Sequence, residues 1–210
     1  MGMLSARMQP THPAGSTDLV ILVGWTVATM IGGLLVGLGA QWAHVPGLVG
    51  LAILFPLPQI VVLWRYVPRP LSWLPVTALG AAGGIVLATI PGFIVALNLP
   101  TWGPFRFLNP MLFSLMVGVI AGAVAGLAQA SFFGYQLDRT TPWIVASAIG
   151  GVFLAWSVSA WLAGFGFGFI HDETTRYLVT TTVAGAIHGL LTGLVLSRDL
   201  QPDERRRRRP

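Results

Sequence analysis

The sequence predicts an all-α, polytopic integral membrane bundle of six transmembrane helices, arranged as three pseudo-repeated helical hairpins. Three observations lead there. Of 210 residues, 54% are hydrophobic and 9% charged, whereas a soluble domain carries roughly 25% charged residues. Six uncharged stretches reach the length of about 20 residues that a 30 Å hydrocarbon core requires. Tryptophan, glycine, glutamine and arginine also recur at fixed separations. The mean hydropathy of +0.75 fits the same class.

The expected helices cover about 19–39, 46–64, 71–90, 111–136, 143–164 and 177–197. They are flanked by an N-terminal tail (1–18) and a polybasic tail (199–210), with 19–198 as the membrane domain. The first stretch is too long and begins too late for an ordinary signal-peptide core, so it is read as a retained helix. The second contains Phe55-Pro56-Leu57-Pro58-Gln59, and proline removes a backbone donor and disrupts a helix. Segment 91–110 is apolar but interrupted by Pro91, Pro100, Pro104 and Pro110. It is expected to be a non-helical or partly re-entrant loop rather than a seventh span.

Arginine placement orients the chain. Arg7, Arg65, Arg69, Arg139, Arg198 and the tail residues Arg205, Arg206, Arg207, Arg208 and Arg209 fall on one side. Arg106 and Arg176 fall on the other. The bias predicts a bacterial cytoplasmic (inner) membrane protein with both termini in the cytoplasm, and external loops 40–45, 91–110 and 165–176. The tail arginines are candidates for binding anionic lipid, at about 1 kcal/mol each. They lack the folded basic surface that nucleic-acid binding needs.

Trp25 precedes Gly32 by seven residues, Trp73 precedes Gly80 and Trp143 precedes Gly150 by the same step. Seven residues are nearly two turns, so each pair shares a helix face. Gln59, Gln129 and His188 each precede an arginine (Arg69, Arg139, Arg198) by ten. On a continuous helix that step is about 15 Å, placing the polar side chain near the midplane and the arginine at the interface. The pattern yields three hairpins of like orientation, each a Trp/Gly helix followed by a Gln- or His-bearing helix. In these features the chain resembles uncharacterised small bacterial multi-pass membrane proteins built from repeated Trp/Gly and Gly-rich, Gln-containing helical hairpins. The resemblance covers roughly residues 20–198 and implies the fold; it carries no activity. His188 in place of a glutamine, and Pro56 and Pro58, depart from the pattern.

Gln59, Gln129 and His188 are the candidate ligand-binding residues. An unpaired amide in hydrocarbon costs several kcal/mol, so the glutamines should point inward and form hydrogen bonds, as interhelical clamps or around a polar solute. His188 is open to three readings: a neutral structural side chain, a proton or ligand contact, or a haem or pigment ligand. A second axial histidine at membrane depth is missing, because His44 and His171 fall at the external edge. Gly118, Gly122 and Gly126, like Gly185, Gly189 and Gly193, form small-xxx-small stripes for helix packing, either within the bundle or against a partner. His171, Asp172, Glu173 and Arg176 form a charged external cluster, favoured as a solvated loop rather than a metal site.

The absences narrow the function. There is no cysteine, hence no disulfide or thiolate site. All seven acids lie in tails, loops or helix ends, which argues against an ordinary carboxylate proton relay or carboxylate metal centre. No Walker A loop is present. An intramembrane serine protease has one feature in its favour, His188-Gly189 in the last helix. However, Ser131 follows Gln129-Ala130 rather than a Gly-x pair, and lacks the local activating context of a nucleophile. The resulting expectation is a non-enzymatic accessory or scaffold subunit, without a predicted metal or cofactor, that associates with other membrane proteins, lipids or itself. The alternative is a small-solute binding or transport component with a midplane polar site.

Overall fold

The computed structural model describes residues 18–42, 53–98, 108–134, 137, 139–162 and 172–199. Among them the regular structure is entirely helical: α1 (Leu19–Trp42), α2 (Leu57–Leu63), α3 (Trp73–Asn98), α4 (Leu108–Phe133), α5 (Thr140–Leu162) and α6 (Glu173–Asp199). A short 3₁₀ turn, Pro70–Ser72, leads into α3. Five of these helices are long and apolar enough to cross a membrane. The protein is therefore a multi-pass helical membrane protein, as its composition predicts.

Local chemistry sets the helix ends. Asp18 caps α1: its Oδ1 accepts from Val20 N at 2.9 Å and Ile21 N at 3.2 Å, occupying donors that no preceding turn can satisfy. Asp172 caps α6 through Oδ2, which accepts from both Thr175 N and Thr175 Oγ1 at 2.6 Å. The cap pulls α6 four residues beyond its expected start and makes Arg176 part of the first turn rather than of the loop. After α4, Gly134 adopts φ +51°. This left-handed geometry ends helices and favours glycine, so α4 stops short of the expected residue 136.

Two expectations built on proline need correction. Segment 91–110 is not a loop throughout, because α3 continues through Pro91 to Asn98 and α4 already begins at Leu108. A membrane helix tolerates an internal proline when its neighbours and local side chains compensate the freed backbone, and Pro110 falls in a first turn, where no intrahelical donor is lost. Residues 99–107 lie outside the described residues. In the second expected span, residues 54–56 form a turn and α2 resumes only at Leu57. The Pro56–Pro58 pair thus interrupts this segment; residues 46–52 lie outside the described residues.

The helices pack in a ring. α1 lies between α6 and α2, α6 also packs on α5, α5 on α4 and α4 on α3, while the start of α3 touches α2. Lipid tails are as apolar as leucine, so close backbone packing must hold this ring together. Glycine makes it possible. A Cβ on Gly118 would meet the Gly151 and Val152 backbone of α5, on Gly122 the Ser147 backbone, and on Gly126 the Ser147 side chain. The α6 stripe faces α1 in the same way: Gly185 and Gly189 sit against Thr29, and Gly193 against Trp25 and Leu22. Both stripes are thus occupied within the chain.

At one end of the ring, Trp25, Trp73 and Trp143 are buried together. Their ring centroids lie 5.7, 6.0 and 6.3 Å apart in edge-to-face geometry. Such aromatic pairs add about 0.5–1.5 kcal/mol each beyond area burial. Phe133 closes the cluster at 5.2 Å from Trp73 and 5.3 Å from Trp143. Asp18 N also bonds Ser197 O at 3.1 Å, joining the start of α1 to the end of α6. The starts of α1, α3 and α5 therefore share one end, together with Arg69, Arg139 and Arg198; Arg176 is at the other.

Candidate functional site at the tryptophan end

The tryptophan cluster stands at the centre of a hydrogen-bond chain that runs through four helices. Trp73 Nε1 donates to Gln59 Oε1 at 2.8 Å, and Gln59 Nε2 donates to Thr29 Oγ1 at 3.2 Å. Thr29 Oγ1 donates to the Trp25 carbonyl at 2.7 Å. Trp25 Nε1 donates to Thr192 Oγ1 at 2.9 Å, and Thr192 Oγ1 donates to the His188 carbonyl at 2.7 Å. α3, α2, α1 and α6 are thereby linked. Gln129 Nε2 donates to Thr77 Oγ1 at 3.2 Å and links α4 to α3. Because the Trp25 and Trp73 indoles and the two amides are buried, a protein partner replaces the water that each would otherwise lose.

The structure does not bring Gln59, Gln129 and His188 into one midplane ring. Gln59 is four residues from the end of α2, and Gln129 four from the end of α4. Both lie beside the tryptophans, near one end of the bundle. The ten-residue step to arginine does not measure depth here, because the helix ends before Arg69 and before Arg139. Only in α6 is the helix continuous from His188 to Arg198. His188 consequently lies more than a turn deeper than the glutamines, about 16 Å from the end of α6 at 1.5 Å per residue.

Helix register identifies another residue at the corresponding level. Gly122 of α4 faces Ser147, and Gln129 follows seven residues later. Gly185 of α6 faces Thr29, and Thr192 follows seven residues later. Thr192, fully buried, is the acceptor for Trp25 as Gln59 is for Trp73. The sequence signal for this assignment is the alignment of the two glycine stripes; the Gln/His–Arg spacing points to a different register.

His188 packs its ring against Gly150, where any Cβ would collide with it, and edge-on against Phe55 with centroids 5.5 Å apart. The ring also forms a backbone hydrogen bond with Gly150. On α5, Trp143 Nε1 and Ser147 Oγ are buried without a hydrogen-bond partner. Trp143 belongs to the tryptophan cluster, and Ser147 faces Gly126 of α4.

Other candidates are dispersed. Ser131 is exposed on α4 and donates to the Ala128 carbonyl at 2.6 Å, away from His188. The Asp172 carboxylate is committed to capping α6 and its pKa is lowered, first by the Thr175 side-chain hydrogen bond and then by the Thr175 backbone N–H. Among the described residues no group of three metal-ligating side chains converges. His44, His171 and Arg205 to Arg209 lie outside the described residues. Comparisons with protein families, with curated proteins and with solved structures give no match.

Proposed function

We propose that this chain is a non-enzymatic accessory subunit of the bacterial inner membrane that associates laterally with other membrane proteins through the outward faces of α3 and α4. The observation that carries this reading is unequal coverage. Within the apolar windows of α3 and α4 only 28% and 22% of residues are buried, against 44% in α6. Leu79, Val86, Leu87, Ile90, Phe93 and Ile94 make α3 a broad exposed apolar face. Because the glycine stripes are occupied inside the ring, this surface, rather than the stripes, is the place for a neighbour. The organisation as three hairpins is supported by the mutual contact of Trp25, Trp73 and Trp143 at equivalent helix positions. Cytoplasmic termini and anionic-lipid contact by Arg205 to Arg209 complete the proposal and rest on the arginine bias.

Photo-crosslinking in the native membrane tests it. A photoreactive side chain at Leu87 or Phe93 should give a discrete adduct with another polypeptide, and one at Val145 of α5 should not. Adducts with lipid alone at all three positions would refute lateral association. The solute-binding reading is favoured by a different observation, the His188 imidazole held inside the bundle between Gly150 and Phe55, and not by Gln59 or Gln129, whose amides are engaged. His188→Leu with retained folding and lost solute binding would establish it in place of the accessory role.

A further inference from the structure

Arg65, Arg69, Arg139 and Arg198 are all exposed at the tryptophan end of the bundle, but their charges are unequally balanced. Arg139 follows Asp138 and Arg198 precedes Asp199, so each of these has an acid beside it in sequence. The connection between α2 and α3, residues 64–72, holds Arg65 and Arg69 and no acid. Chain orientation depends on basic residues and is nearly indifferent to neighbouring acids. It does not account for a corner from which acids are missing.

Local structure aims both arginines outward. Tyr66 N and Val67 N donate to the same Leu63 carbonyl, each at 2.9 Å, and this shared acceptor ends α2. Val67 and Pro70 then turn inward and are buried, which leaves Arg65, Pro68 and Arg69 on the outside. Arg69 stands between two prolines, with φ −131° and ψ 65°. A residue before proline is kept out of the helical region, and each proline ring fixes its own φ. The backbone that presents the guanidinium groups is thus ordered in advance, which lowers the entropic cost of binding. Neither guanidinium has an ion pair or a hydrogen bond with another described residue. The charge of Asp18 reaches Tyr66, next to Arg65, but its Oδ1 is held by the first amides of α1.

The surroundings of the two cations are apolar. Trp64 and Leu71 are each 65% exposed, and Val61 and Leu57 continue the exposed face of α2 away from the arginines. Steps of three and four residues keep Trp64, Val61 and Leu57 on one stripe. Tryptophan is enriched where membrane meets water, so Trp64 sets the corner at headgroup depth. Guanidinium pairs with phosphate through two parallel N–H···O bonds. A free anion would match the arginines alone, whereas a phosphate ester carrying acyl chains matches both the arginines and the stripe.

We infer that the α2–α3 corner binds one anionic phospholipid, its phosphate held by Arg65 and Arg69 and its chain laid along Trp64, Val61 and Leu57. The site is distinct from the tail Arg205 to Arg209. It also lies apart from the outward faces of α3 and α4, so it stands whether or not those faces carry a partner.

The test uses the full chain with the tail neutralised by Arg205→Gln, Arg206→Gln, Arg207→Gln, Arg208→Gln and Arg209→Gln. Released from nanodiscs of phosphatidylglycerol and phosphatidylcholine with the same acyl chains, it should retain one phosphatidylglycerol per chain in native mass spectra. Adding Arg65→Gln and Arg69→Gln should weaken this retention on the order of thirtyfold. Adding Arg139→Gln and Arg198→Gln instead removes the same charge from the same end and should weaken it little. Both pairs alter exposed side chains and should keep the helical spectrum. Equal losses in the two pairs would overturn the site in favour of a general surface potential. So would equal retention of phosphatidylcholine, or unchanged retention after Arg65→Gln and Arg69→Gln. Displacement of the lipid by inorganic phosphate would likewise overturn it, by making a free anion the ligand.

Discussion

Trp25 donates its indole N–H to Thr192 Oγ1 at 2.9 Å, across 167 positions of sequence. With the Asp18 N–H bond to the Ser197 carbonyl and the glycine contacts of α6, it joins α1 to α6 and closes the ring. The same threonine passes its own proton to the His188 carbonyl one turn earlier, so α6 uses a residue type common in membrane helices both to satisfy itself and to hold a neighbour.

Removing an indole proton should therefore cost different amounts at different positions. Trp25→Phe and Trp73→Phe each delete a bond to a buried protein acceptor and should lower stability by about 1–2 kcal/mol. Trp143→Phe loses no protein partner and should cost less. Unfolding of the three variants in mixed micelles would give the order, and a Trp143→Phe effect equal to the other two would contradict it.

Gln59 makes two interhelical bonds and Gln129 one in the described network. Gln59→Leu should accordingly be the more damaging, at about 1–2 kcal/mol, with Gln129→Leu near ~0.6 kcal/mol, the scale of single polar contacts between membrane helices. The same unfolding measurement resolves them. Equal losses would mean that the Thr77 contact carries more than its 3.2 Å length suggests.

The glycines divide just as sharply. Gly122 lies against the Ser147 backbone, which cannot yield like a side-chain tip. Gly122→Ala should cost about 1–3 kcal/mol by overpacking. At Gly83 an added methyl group would meet nothing within 4 Å, and Gly83→Ala should be neutral or stabilise by up to about 1 kcal/mol through helix propensity. Thermal unfolding in detergent of the two alanine variants checks the contrast.

Acid should loosen α6 at its capped end. The Asp172 carboxyl titrates below its ordinary value of 3.8 in the folded chain, chiefly because Thr175 hydrogen-bonds the charged form. A depressed folded pKa contributes stability that is fully present above the unfolded value and is lost as pH falls through the folded one. Amide exchange at Thr175 should thus be slow near neutrality and quicken below the ordinary Asp range. Asp172→Asn should weaken this acid response, and an unchanged profile in that variant would assign the titration elsewhere.

Much of the fold is legible from two simple signals. The uncharged stretches locate the long helices because bilayer thickness leaves little latitude in length, and the Trp–Gly step of seven marks the positions that meet at Trp25, Trp73 and Trp143. Sequence and structure part where a local backbone event outweighs composition. Pro91 reads as the end of α3, but an apolar helix in lipid keeps its remaining hydrogen bonds wherever it can. Gly134 ends α4 before Arg139, so a spacing of ten ceases to be a distance. That spacing places Gln129 too deep and gives His188 the level that Thr192 occupies. Thr192 is difficult to recognise because a threonine among many in α6 looks like ordinary packing until its partner, distant in sequence, is known.

The three-way tryptophan contact has a mechanical consequence. Like the hub of a tripod, it holds α1, α3 and α5 at one point, whereas farther along each leg is held only to its own neighbour, Gly37 against Thr181, Gly92 against Phe113 and Val152 against Gly118. Spin labels on α3 and α5 should accordingly report a narrow distance distribution beside Trp73 and Trp143 and a broader one toward Ile94 and Trp156. A perturbation applied at the rim would then be felt at the hub as torque rather than as translation.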